Sequence, residues 1–539
     1  MKMHAKSNVY HVEVMREMIS PTISRTYLRT QMPLPRSYNP AAMAKKTISQ
    51  KVCLALLSFL HPKTVARNGP RSQGLPPLAD LSSEDTVCDL EGGLLRSSST
   101  FPYFMLVALE AGGFLRGLLL LLLYPLLCCV SDEVGIKVMV MVSFCGVRKA
   151  GFRVGRAVLP KFFLEEVGLE GFEVLRKSGG RVCVSRMPRV MVEVFLKDYL
   201  EVEVVVGREL GVLWGFYTGL MEEERLLEGL NVKDLFRVEE KVKRKWSPLP
   251  REKYPRSLVF HDGRMAFRPT PINTLLMFMW FPLGVFLAIL RLLIGLTLPY
   301  NLSTPVLEMT GMRWRLKGSY SSFSKASDDS SKGKGQLFAC NHRTLIDPIY
   351  ISIALNKPVR AVSYSLSRVS EILAPIKTVR LTRNREADGK MMGELLGKGE
   401  LVVVCPEGTT CREPYLLRFS PLFTELSDEI VPVALDAKVS MFYATTAGGW
   451  KCFDSLYYLM NPSMCYEVEF LEKIDTSGVR MRKSCSIDMA NYVQREIGKA
   501  LGFECTKLTR KDKYMMLAGN DGSVTPSMRM RESPGMSRS

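Results

Sequence analysis

The length and charge of this chain exclude several classes of protein. Its 539 residues are enough for two to four domains, and 47% of them are hydrophobic, which is high for a soluble protein of this size. The formal net charge of +19 indicates an anionic partner. We find no nucleic-acid-binding fold signature and expect no nucleic acid, so a membrane surface and phosphorylated substrates fit the charge better.

The cysteines and the N-terminal region add two weaker expectations. Thirteen cysteines occur without the paired spacing of a zinc site, so we expect a reducing compartment, no disulfide framework and no metal. Residues 1–47 carry eight Lys or Arg and two acids, which weakly resembles an organelle transit peptide. We favour the alternative, a disordered extension or a gene-prediction artefact with Met43 as the true start.

An acidic turn follows the first predicted strand. The segment Val87-Cys-Asp89-Leu90-Glu91-Gly92-Gly93 resembles the D-x-D-G-T opening of the haloacid dehalogenase (HAD) family. The resemblance implies that Asp89 matches the nucleophile that attacks phosphate and that Ser185, in the next candidate motif, binds phosphate. Glu91 stands where a second Asp is usual, and its longer side chain moves the carboxyl by about one methylene, which general acid catalysis tolerates poorly.

The later motifs of a HAD phosphatase are missing or weak. We find no convincing lysine motif and no G-D-x-x-x-D block, and the run from Met221 to Lys245 is short for a complete domain of this type. The mixed charge run Arg237–Lys245 is more often a solvated helix face than a binding site. We therefore predict a HAD-like region over residues 81–245 that lacks phosphatase activity.

Two apolar stretches are candidates for the membrane. The first, Ala111–Val130, contains a leucine run. The second, Leu275–Leu298, is long enough to cross about 30 Å of hydrocarbon as a helix, although Pro282 and Arg291 also permit a kinked or re-entrant hairpin. We predict membrane embedding for both, with a buried core helix as the alternative for each, and assign the second to a segment at 270–300.

The segment from Asn341 to Pro348 (N-H-R-T-L-I-D-P) carries the strongest chemical signal. The apolar run before it predicts a buried strand, so His342 lies where a strand gives way to a loop or a helix start. On a plain helix His342 and Asp347 would lie about 140° apart, but Pro348 biases Asp347 away from helical backbone. A carboxylate that reaches the imidazole fixes its tautomer and stabilises the imidazolium. For this motif alone, a surface histidine beside a turn is the alternative.

Strand-like runs recur at regular intervals around this segment. They are Gln336–Cys340, Pro358–Ser363, Pro375–Arg383, Leu401–Cys405 and Ile430–Leu435, with helical stretches such as Glu386–Lys398 between them. Alternating strands and helices predict a parallel sheet. The Ser-, Lys- and Gly-rich run at 318–334 predicts a flexible loop, and the tail at 520–539 predicts disorder.

The order of these blocks resembles the glycerolipid acyltransferase family. Its N-H-x4-D, Arg-ended, F-P-E-G-T-type and V-P-type blocks are matched by Asn341 to Asp347, Thr378 to Arg383, Pro406 to Thr409, and Val431-Pro432. The closer resemblance is to the plant membrane-bound glycerol-3-phosphate acyltransferases, of which Phe260 to Arg264, Tyr364 to Pro375 and Cys405 to Pro414 are typical. It implies an α/β fold class: a HAD-like N-terminal α/β domain, membrane-embedded helices, and a C-terminal acyltransferase α/β domain at 301–519.

The resemblance also implies a catalytic pair. His342 would be the base that deprotonates the acceptor hydroxyl, and Asp347 would orient it. The hydroxyl would then attack the acyl-CoA thioester directly, without a metal, a cofactor or a covalent acyl-enzyme. Val431-Pro432 would line the acyl or CoA channel.

Substrate binding needs cations, because the acceptor carries a phosphate. Arg383 matches the Arg that ends the second block, and Arg380 lies on the opposite strand face. This chain has Thr410-Cys411 where the family usually has Arg-Ser, and Arg412 is the candidate replacement. The remaining predicted contacts come from the third block, where Glu407 would hydrogen-bond a glycerol hydroxyl or the site framework, Gly408 would allow close backbone approach and Thr409 would donate a hydrogen bond.

The implied activity is transfer of a fatty acyl group from acyl-CoA to glycerol 3-phosphate, which gives lysophosphatidic acid. In the family resembled, transfer favours the sn-2 hydroxyl and feeds cutin- or suberin-type polymers. The alternatives are a lysophospholipid acceptor, a bifunctional acyltransferase and phosphatase, and a non-catalytic membrane scaffold. We expect an integral protein of the endoplasmic reticulum membrane with a cytosolic site, and residues 1–47 leave mitochondrion and plastid open. Oligomeric state and acyl-chain preference do not follow from the sequence.

Overall fold

The computed structural model describes residues 87–177, 181–222, 235–317, 335–363, 371, 374–382, 384–448, 453–481 and 485–520. All of them belong to one compact unit, Leu78–Ser539. The predictions for residues 1–47, for the loop at 318–334, for Arg383 and for residues 521–539 lie outside the described residues.

A small parallel sheet organises the N-terminal half. Its strands are β1 (Val87–Asp89), β2 (Val182–Pro188), β3 (Val204–Arg208) and β6 (Leu235–Phe236), and β4 (Leu210–Leu213) pairs with β5 (Phe216–Met221) as an antiparallel hairpin. The order across the sheet is β3-β2-β1-β6, with parallel neighbours throughout. Its central strands are rich in valine and buried, as expected where both faces are covered. Because β1 and β2 are adjacent and parallel, the turns after them lie side by side.

Helices pack around this sheet. They are α1 (Phe101–Gly112), α2 (Phe114–Leu122), α3 (Tyr124–Leu127), α4 (Asp132–Phe144), α5 (Val154–Ala157), α6 (Leu159–Leu164), α7 (Leu169–Lys177), α8 (Arg189–Val194) and α9 (Glu240–Lys243). The predicted membrane stretch Ala111–Val130 is divided among α1, α2 and α3. Gly113, at φ +88°, ends α1 in a conformation that favours glycine. The stretch therefore forms no helix long enough to cross a bilayer, and its embedding in the membrane stays a prediction.

The longest helix of the described chain, α10 (Pro271–Thr297), covers the segment predicted at 270–300. By length and composition it is apolar enough to cross a membrane, and its 27 residues extend about 40 Å. Only 22% of its most apolar window is buried, and Leu283 and Phe286 are exposed, which is atypical of a core helix. Pro282 lies inside the helix without dividing it into a hairpin.

A larger sheet organises the C-terminal half. Its strands are β7 (Met312–Lys317), β8 (Gln336–Cys340), β9 (Arg360–Ser363), β10 (Lys377–Arg380), β11 (Leu401–Val404), β13 (Glu429–Val439), β14 (Met464–Phe470) and β15 (Ile474–Asp475), while β12 (Tyr415–Leu416) and β16 (Glu504–Cys505) form a separate parallel pair. The main order is β10-β9-β11-β8-β13-β14-β7. Neighbours from β10 to β13 are parallel, whereas β14 is antiparallel to β13. The predicted parallel sheet is confirmed for this central part, and the edge formed by β14 and β7, for which we made no prediction, joins it through the antiparallel pairing of β14 with β13.

Further helices flank this sheet and complete the site. They are α11 (Tyr300–Met309), α12 (Asp347–Leu355), α13 (Arg385–Gly397), α14 (Asp454–Leu459), α15 (Ser477–Arg480), α16 (Ser486–Leu501) and α17 (Arg510–Ala518). Strands β8 and β11 are parallel neighbours, so their carboxyl ends open at one edge of the sheet. That edge is where open α/β sheets place ligands.

The segment Phe260–Arg264 connects the two halves. Asp262 accepts a hydrogen bond from the backbone N–H of Ala447 at 2.9 Å. Arg264 forms an ion pair with Asp454 at 2.9 Å, and 13% and 2% of these side chains are exposed. The motif that is typical of the plant family therefore holds the HAD-like half against the first turn of α14.

Candidate active site

His342 and Asp347 meet across the loop between β8 and α12. The Nδ1 atom of His342 lies 2.8 Å from Oδ2 of Asp347. The backbone between them is not helical, and Asp347 is the first residue of α12, so the spacing that would separate the pair on a plain helix brings them together here. This contact fixes the orientation and the tautomer of the ring, because Nδ1 is engaged by the carboxylate.

Asp347 is held by donors on both oxygens. Besides His342, Oδ2 accepts from the backbone N–H of Arg343 at 2.7 Å. Oδ1 accepts from the backbone N–H and the hydroxyl of Thr344, both at 2.9 Å, and from the Tyr466 hydroxyl. The carboxylate is fully buried and can orient the imidazole without moving.

The residues beside this pair tie the sequence blocks together. The side-chain amide of Asn341 donates to the carbonyl of Leu435 and accepts from its N–H, each at 2.8 Å, which joins β8 to β13. Glu407 accepts from the N–H of His342 at 2.7 Å and from the N–H of Leu417 at 2.9 Å. Of the two roles open for Glu407, these contacts are those of the site framework. Burial raises the pKa of its carboxyl to about 7.

Cys405 adds a thiol to the site. Its Sγ lies 3.5 Å from Sγ of Cys340, and the thiol also interacts with the ring of His342. The contact with Cys340 lowers the pKa of Cys405 to about 6; burial opposes this, and a protonated His342 supports it. Burial would lower the pKa of His342, but the Cys405 thiolate and Asp347 outweigh it and raise that pKa well above its usual value. The two groups therefore titrate as a pair.

Three donor atoms of this cluster have the proximity of a metal site. One ligand atom each of His342, Asp347 and Cys405 lies within 4.8 Å of the others. The oxygens of Asp347 already accept five hydrogen bonds from protein donors. A metal would have to displace some of them, so the cluster fits a hydrogen-bonded catalytic framework better than a cation site.

A cavity of about 360 Å³ opens in front of His342. Helices supply an apolar wall with Leu292, Gly295 and Leu296 of α10, Leu307 of α11, Ile349 and Ile353 of α12, and Leu456 and Leu459 of α14. The loop after β11 supplies Cys405, Pro406 and Gly408 to Thr410. The membrane-length helix thus forms part of the wall of the cavity that contains the histidine.

Two of the predicted phosphate-binding cations, Arg380 and Arg412, do not line this cavity, and Arg383 lies outside the described residues. Arg380 lies on the edge strand β10, half-exposed and paired with Glu371. The guanidinium of Arg412 stacks on the ring of Tyr443 at 4.1 Å. Neither lines the cavity, whereas Gly408 and Thr409 do. Val431 and Pro432 lie in the predicted strand and are not among the residues that line this cavity.

Helix α17 contributes cavity residues that no sequence motif indicated. Arg510 and Tyr514 line the cavity. Lys513 is buried, and its Nζ donates to the carbonyl of Thr410 and lies 3.4 Å from Oγ1 of Thr409. The third block lacks its usual Arg, which indicated that a cation from elsewhere in the chain could lie beside it. Nothing in the spacing indicated that this cation comes from a helix about 100 residues later.

The turn after β1 holds the candidate HAD residues in a self-contained network. Oδ1 of Asp89 accepts from the N–H of Gly92 at 2.9 Å, and Oδ2 pairs with Arg237 at 2.6 Å. The side chain of Glu91 accepts from the hydroxyl of Ser185 at 2.7 Å and from the N–H of Arg186 at 3.1 Å. Burial, with the nearby Asp89 charge, raises the pKa of Glu91 to about 7.

Two residues of the charge run Arg237–Lys245 belong to this network. Lys243 is fully buried and donates to the carbonyl of Glu91 at 2.7 Å, and Arg237 reaches Asp89. The interpretation of this run as a solvated face is wrong for Lys243, whereas the side chain of Arg237 is exposed while it contacts Asp89. A side chain at Gly93 would place Cβ 2.4 Å from the carbonyl of Phe236, so the Thr of the HAD motif does not fit this turn.

The fold and the site define an acyltransferase domain that follows a HAD-like domain. The family model described as glycerol-3-phosphate acyltransferase RAM2-like, HAD-like domain, matches residues 85–254, and the acyltransferase family model matches residues 323–436. "Probable glycerol-3-phosphate acyltransferase 2" of Arabidopsis thaliana is 50% identical, over 84% of this chain and 92% of that protein. "Glycerol-3-phosphate acyltransferase RAM2" of Petunia hybrida is 43% identical, over 81% of this chain and 97% of that protein.

Among solved structures, the 1-acyl-sn-glycerophosphate acyltransferase PlsC of Thermotoga maritima is similar over 43% of this chain and 95% of that chain, with 14% identity and a TM-score of 0.28. The identity to the plant proteins, over most of both lengths, is decisive. The chain belongs to the plant glycerol-3-phosphate acyltransferase family, and the predicted family, fold class and acyltransferase class are confirmed.

Proposed function

We propose that this protein transfers a fatty acyl group from acyl-CoA to glycerol 3-phosphate and releases lysophosphatidic acid and coenzyme A. The observation that carries the proposal is the His342–Asp347 contact of 2.8 Å, with a fully buried carboxylate, at the edge of a cavity with an apolar wall. Family membership supports glycerol 3-phosphate as the acceptor, because the relatives carry that name. Transfer to the sn-2 hydroxyl for polymer lipids of the cutin type follows from the resemblance alone.

The chemistry needs one base and no covalent enzyme intermediate. Nε2 of His342 takes the proton of the acceptor hydroxyl while its oxygen attacks the thioester carbonyl carbon. The C–S bond then breaks, and the imidazolium returns the proton to the coenzyme A thiolate. Asp347 stabilises the imidazolium in between, at a fixed distance from Nδ1.

The membrane supplies the setting for this reaction. Helix α10 brings Leu292, Gly295 and Leu296 from a membrane-length segment to the cavity wall, which suits an acyl chain. We propose that the protein lies in the endoplasmic reticulum membrane with its site facing the cytosol.

The HAD-like domain acts in this proposal as a structural partner without phosphatase activity. The donors that a phosphate would need, the Ser185 hydroxyl and the Arg186 N–H, are engaged by the carboxylate of Glu91. Asp89 is engaged by Arg237. The acylated product would therefore keep its phosphate.

The test uses detergent-solubilised protein, labelled glycerol 3-phosphate and an acyl-CoA, with lysophosphatidic acid resolved from monoacylglycerol. His342→Ala should lower the rate by about 100- to 10,000-fold, the usual contribution of a general base. Asp347→Asn, which keeps the shape and removes the charge, should also be severely slowed. His342→Ala should keep the wild-type midpoint of thermal unfolding, which separates lost chemistry from lost fold. Asp347→Asn should unfold at a lower temperature, because its amide nitrogen cannot accept the hydrogen bonds that one carboxylate oxygen accepts in the wild type.

Each other product pattern has a defined meaning. A His342→Ala rate within about tenfold of the wild-type rate would remove the histidine from catalysis. Monoacylglycerol formation that depends on Asp89 would show an active phosphatase. Acylation of a lysophospholipid in place of glycerol 3-phosphate would replace the proposed acceptor.

A further inference from the structure

Two cysteines lie side by side at the carboxyl ends of β8 and β11. Sγ of Cys340 is 3.5 Å from Sγ of Cys405. The two strands pair in parallel with Val404 opposite Ala339, so the next residue on each side is a cysteine that points to the same face of the sheet. The Cys340 thiol donates to the carbonyl of Val404 at 3.5 Å, which holds its sulfur beside β11. The acyl-transfer chemistry proposed above requires neither thiol.

The spacing of this pair is suited to a disulfide bond. Neighbouring strands lie about 4.7–4.9 Å apart, and disulfides join residues whose Cα atoms are about 4.4–6.8 Å apart. The sulfurs of Cys340 and Cys405 already touch, so a bond of about 2.05 Å requires only a short further approach. In a reducing compartment a disulfide of this kind is transient and senses oxidants, so it needs no fixed disulfide framework.

Cys405 is open to the cavity, whereas Cys340 lies behind it. Cys405 lines the cavity in front of His342, and its thiol interacts with the imidazole ring. Cys340 is fully buried and is not among the lining residues. The contact with Cys340 and a protonated His342 lower the pKa of Cys405 to about 6, and the thiolate is the form that reacts. A small oxidant that enters the cavity therefore meets Cys405 first.

A second pair of cysteines has the same strand geometry without this access. Cys88 and Cys183 stand opposite each other on the parallel strands β1 and β2 of the HAD-like half. Both are buried, and neither lines the cavity. The contact with Cys88 and burial raise the pKa of Cys183 well above its usual value, which opposes formation of the thiolate. This pair is therefore an internal control for any chemistry at Cys405.

We propose that Cys340 and Cys405 are a modification site, which hydrogen peroxide converts to a reversible disulfide that slows the enzyme. The Cys405 thiolate attacks one peroxide oxygen, so that an S–O bond forms, the O–O bond breaks and hydroxide leaves. The Cys340 sulfur then attacks the sulfenic acid, the S–S bond forms, and the S–O bond breaks with release of water. The thiols lose two electrons, and the peroxide gains them and becomes water once the hydroxide takes up the proton that Cys405 had lost.

The disulfide would act on the catalytic histidine through two chain segments. His342 is two residues after Cys340, and Glu407 is two residues after Cys405. Glu407 accepts from the N–H of His342 at 2.7 Å, so a movement of either strand end reaches the same ring. A displacement of about 1 Å in an active site can lower a rate by about 100-fold. This effect on the rate rests on the proposed function, whereas formation of the disulfide does not.

The experiment treats reduced, full-length protein in detergent with hydrogen peroxide and follows the acylation rate together with the linked peptides in the mass spectrum. In the wild type the rate should fall by about 10- to 100-fold as a linkage between Cys340 and Cys405 appears. Dithiothreitol should remove the linkage and restore the rate. The Cys88–Cys183 pair should stay reduced. Loss of rate without the linkage, or equal oxidation of both pairs, would overturn the proposal.

Two variants separate the roles of the two sulfurs. In Cys340→Ala the sulfenic acid has no second thiol to resolve it, so an adduct with dimedone should accumulate on Cys405 well above the wild-type level. In Cys405→Ala neither the linkage nor an adduct on Cys340 should form, and an adduct there would contradict entry through the cavity. Cys485→Ala removes an exposed thiol at the start of α16 and should behave as the wild type.

Failure of the proposed function gives a different result. The linkage and the adduct are measured without turnover, so they decide the modification site even if the wild type does not acylate glycerol 3-phosphate. In that case the reaction is refuted, and the cysteine pair is judged on the mass spectrum alone. An active enzyme that keeps its full rate when the linkage is complete would overturn the regulatory effect.

Discussion

At the scale of single residues, the site presents a conflict between proton affinity and catalysis. A general base must be neutral before it can take a proton, yet the pKa of His342 is raised well above its usual value. Part of that rise comes from the negative charge of Cys405, whose own pKa falls to about 6. The imidazolium–thiolate and imidazole–thiol forms of the pair hold the same number of protons. When Cys405 carries the shared proton, His342 is neutral and can act as a base.

This coupling predicts the pH profile of a cysteine variant. The rate should rise with pH as His342 loses its proton. In Cys405→Ala the thiolate no longer stabilises the imidazolium, so the His342 pKa falls and the rising limb of kcat/KM moves to lower pH. The ratio of the rate at low pH to the rate at high pH should therefore increase several-fold in steady-state assays.

The control for that variant is Cys485→Ala, because Cys485 is exposed and stands at the start of α16. Its profile should overlay that of the wild type. An unmoved limb in Cys405→Ala would mean that the thiol carries no charge near the ring. A limb moved to higher pH would contradict the sign of the coupling.

At the scale of elements, the sequence predicts the strands that have a recognisable apolar pattern and the loops that carry short motifs. Strands β8 and β11 have buried apolar runs that end at polar residues, so their place in a parallel sheet and the meeting of His342 with the third block could be inferred. Helix α17 could not, because Arg510 and Lys513 stand in an ordinary charged helix. Their place beside the third block depends on backbone pairing between β12 and β16, which no local pattern records.

Helix α10 gives a prediction about the acyl chain. Gly295 lines the cavity, and a Cβ built on it meets no atom within 4 Å. Gly295→Phe should therefore occupy cavity space without a clash in the helix. Activity with long-chain acyl-CoA should fall several-fold more than activity with medium-chain acyl-CoA, measured as kcat/KM across chain lengths.

The matched control is Gly393→Phe on α13, where a Cβ also meets no atom within 4 Å and the residue is exposed. It carries the same helix-propensity change outside the cavity. Equal loss for all chain lengths in Gly295→Phe would indicate a folding defect. Unchanged selectivity would place the acyl chain elsewhere.

At the scale of the whole molecule, the two halves form a network that single motifs do not reveal. The HAD-like opening is visible in the sequence, but its closure by Arg237 and Lys243 depends on a second segment about 150 residues away. The same is true of Arg264, whose partner Asp454 lies in the acyltransferase half. Long-range ion pairs of this kind require a known fold before they can be assigned.

The Arg264–Asp454 pair allows us to measure how much the contact between the HAD-like half and the acyltransferase half contributes to stability. Both side chains are largely buried, so Asp454→Ala removes the carboxylate that pairs with the guanidinium and should destabilise the protein by about 3–5 kcal/mol. Replacing both partners, Arg264→Met with Asp454→Leu, removes the buried charge and should recover much of that loss. The midpoint of thermal unfolding in detergent compares the variants, because a chain of several domains does not follow two-state unfolding.

Glu308→Ala serves as the control, since Glu308 is exposed on α11 and its substitution should leave the midpoint unchanged. If the double variant unfolds at the same temperature as Asp454→Ala, the pair is not coupled and the contact does not hold the halves together. If the double variant unfolds at a higher temperature than Asp454→Ala, the segment Phe260–Arg264 connects the HAD-like half to the acyltransferase site and stabilises it. Asp454 also lines the cavity that contains His342. Loss of its partner would therefore affect the shape of the acyltransferase site as well as the stability of the protein.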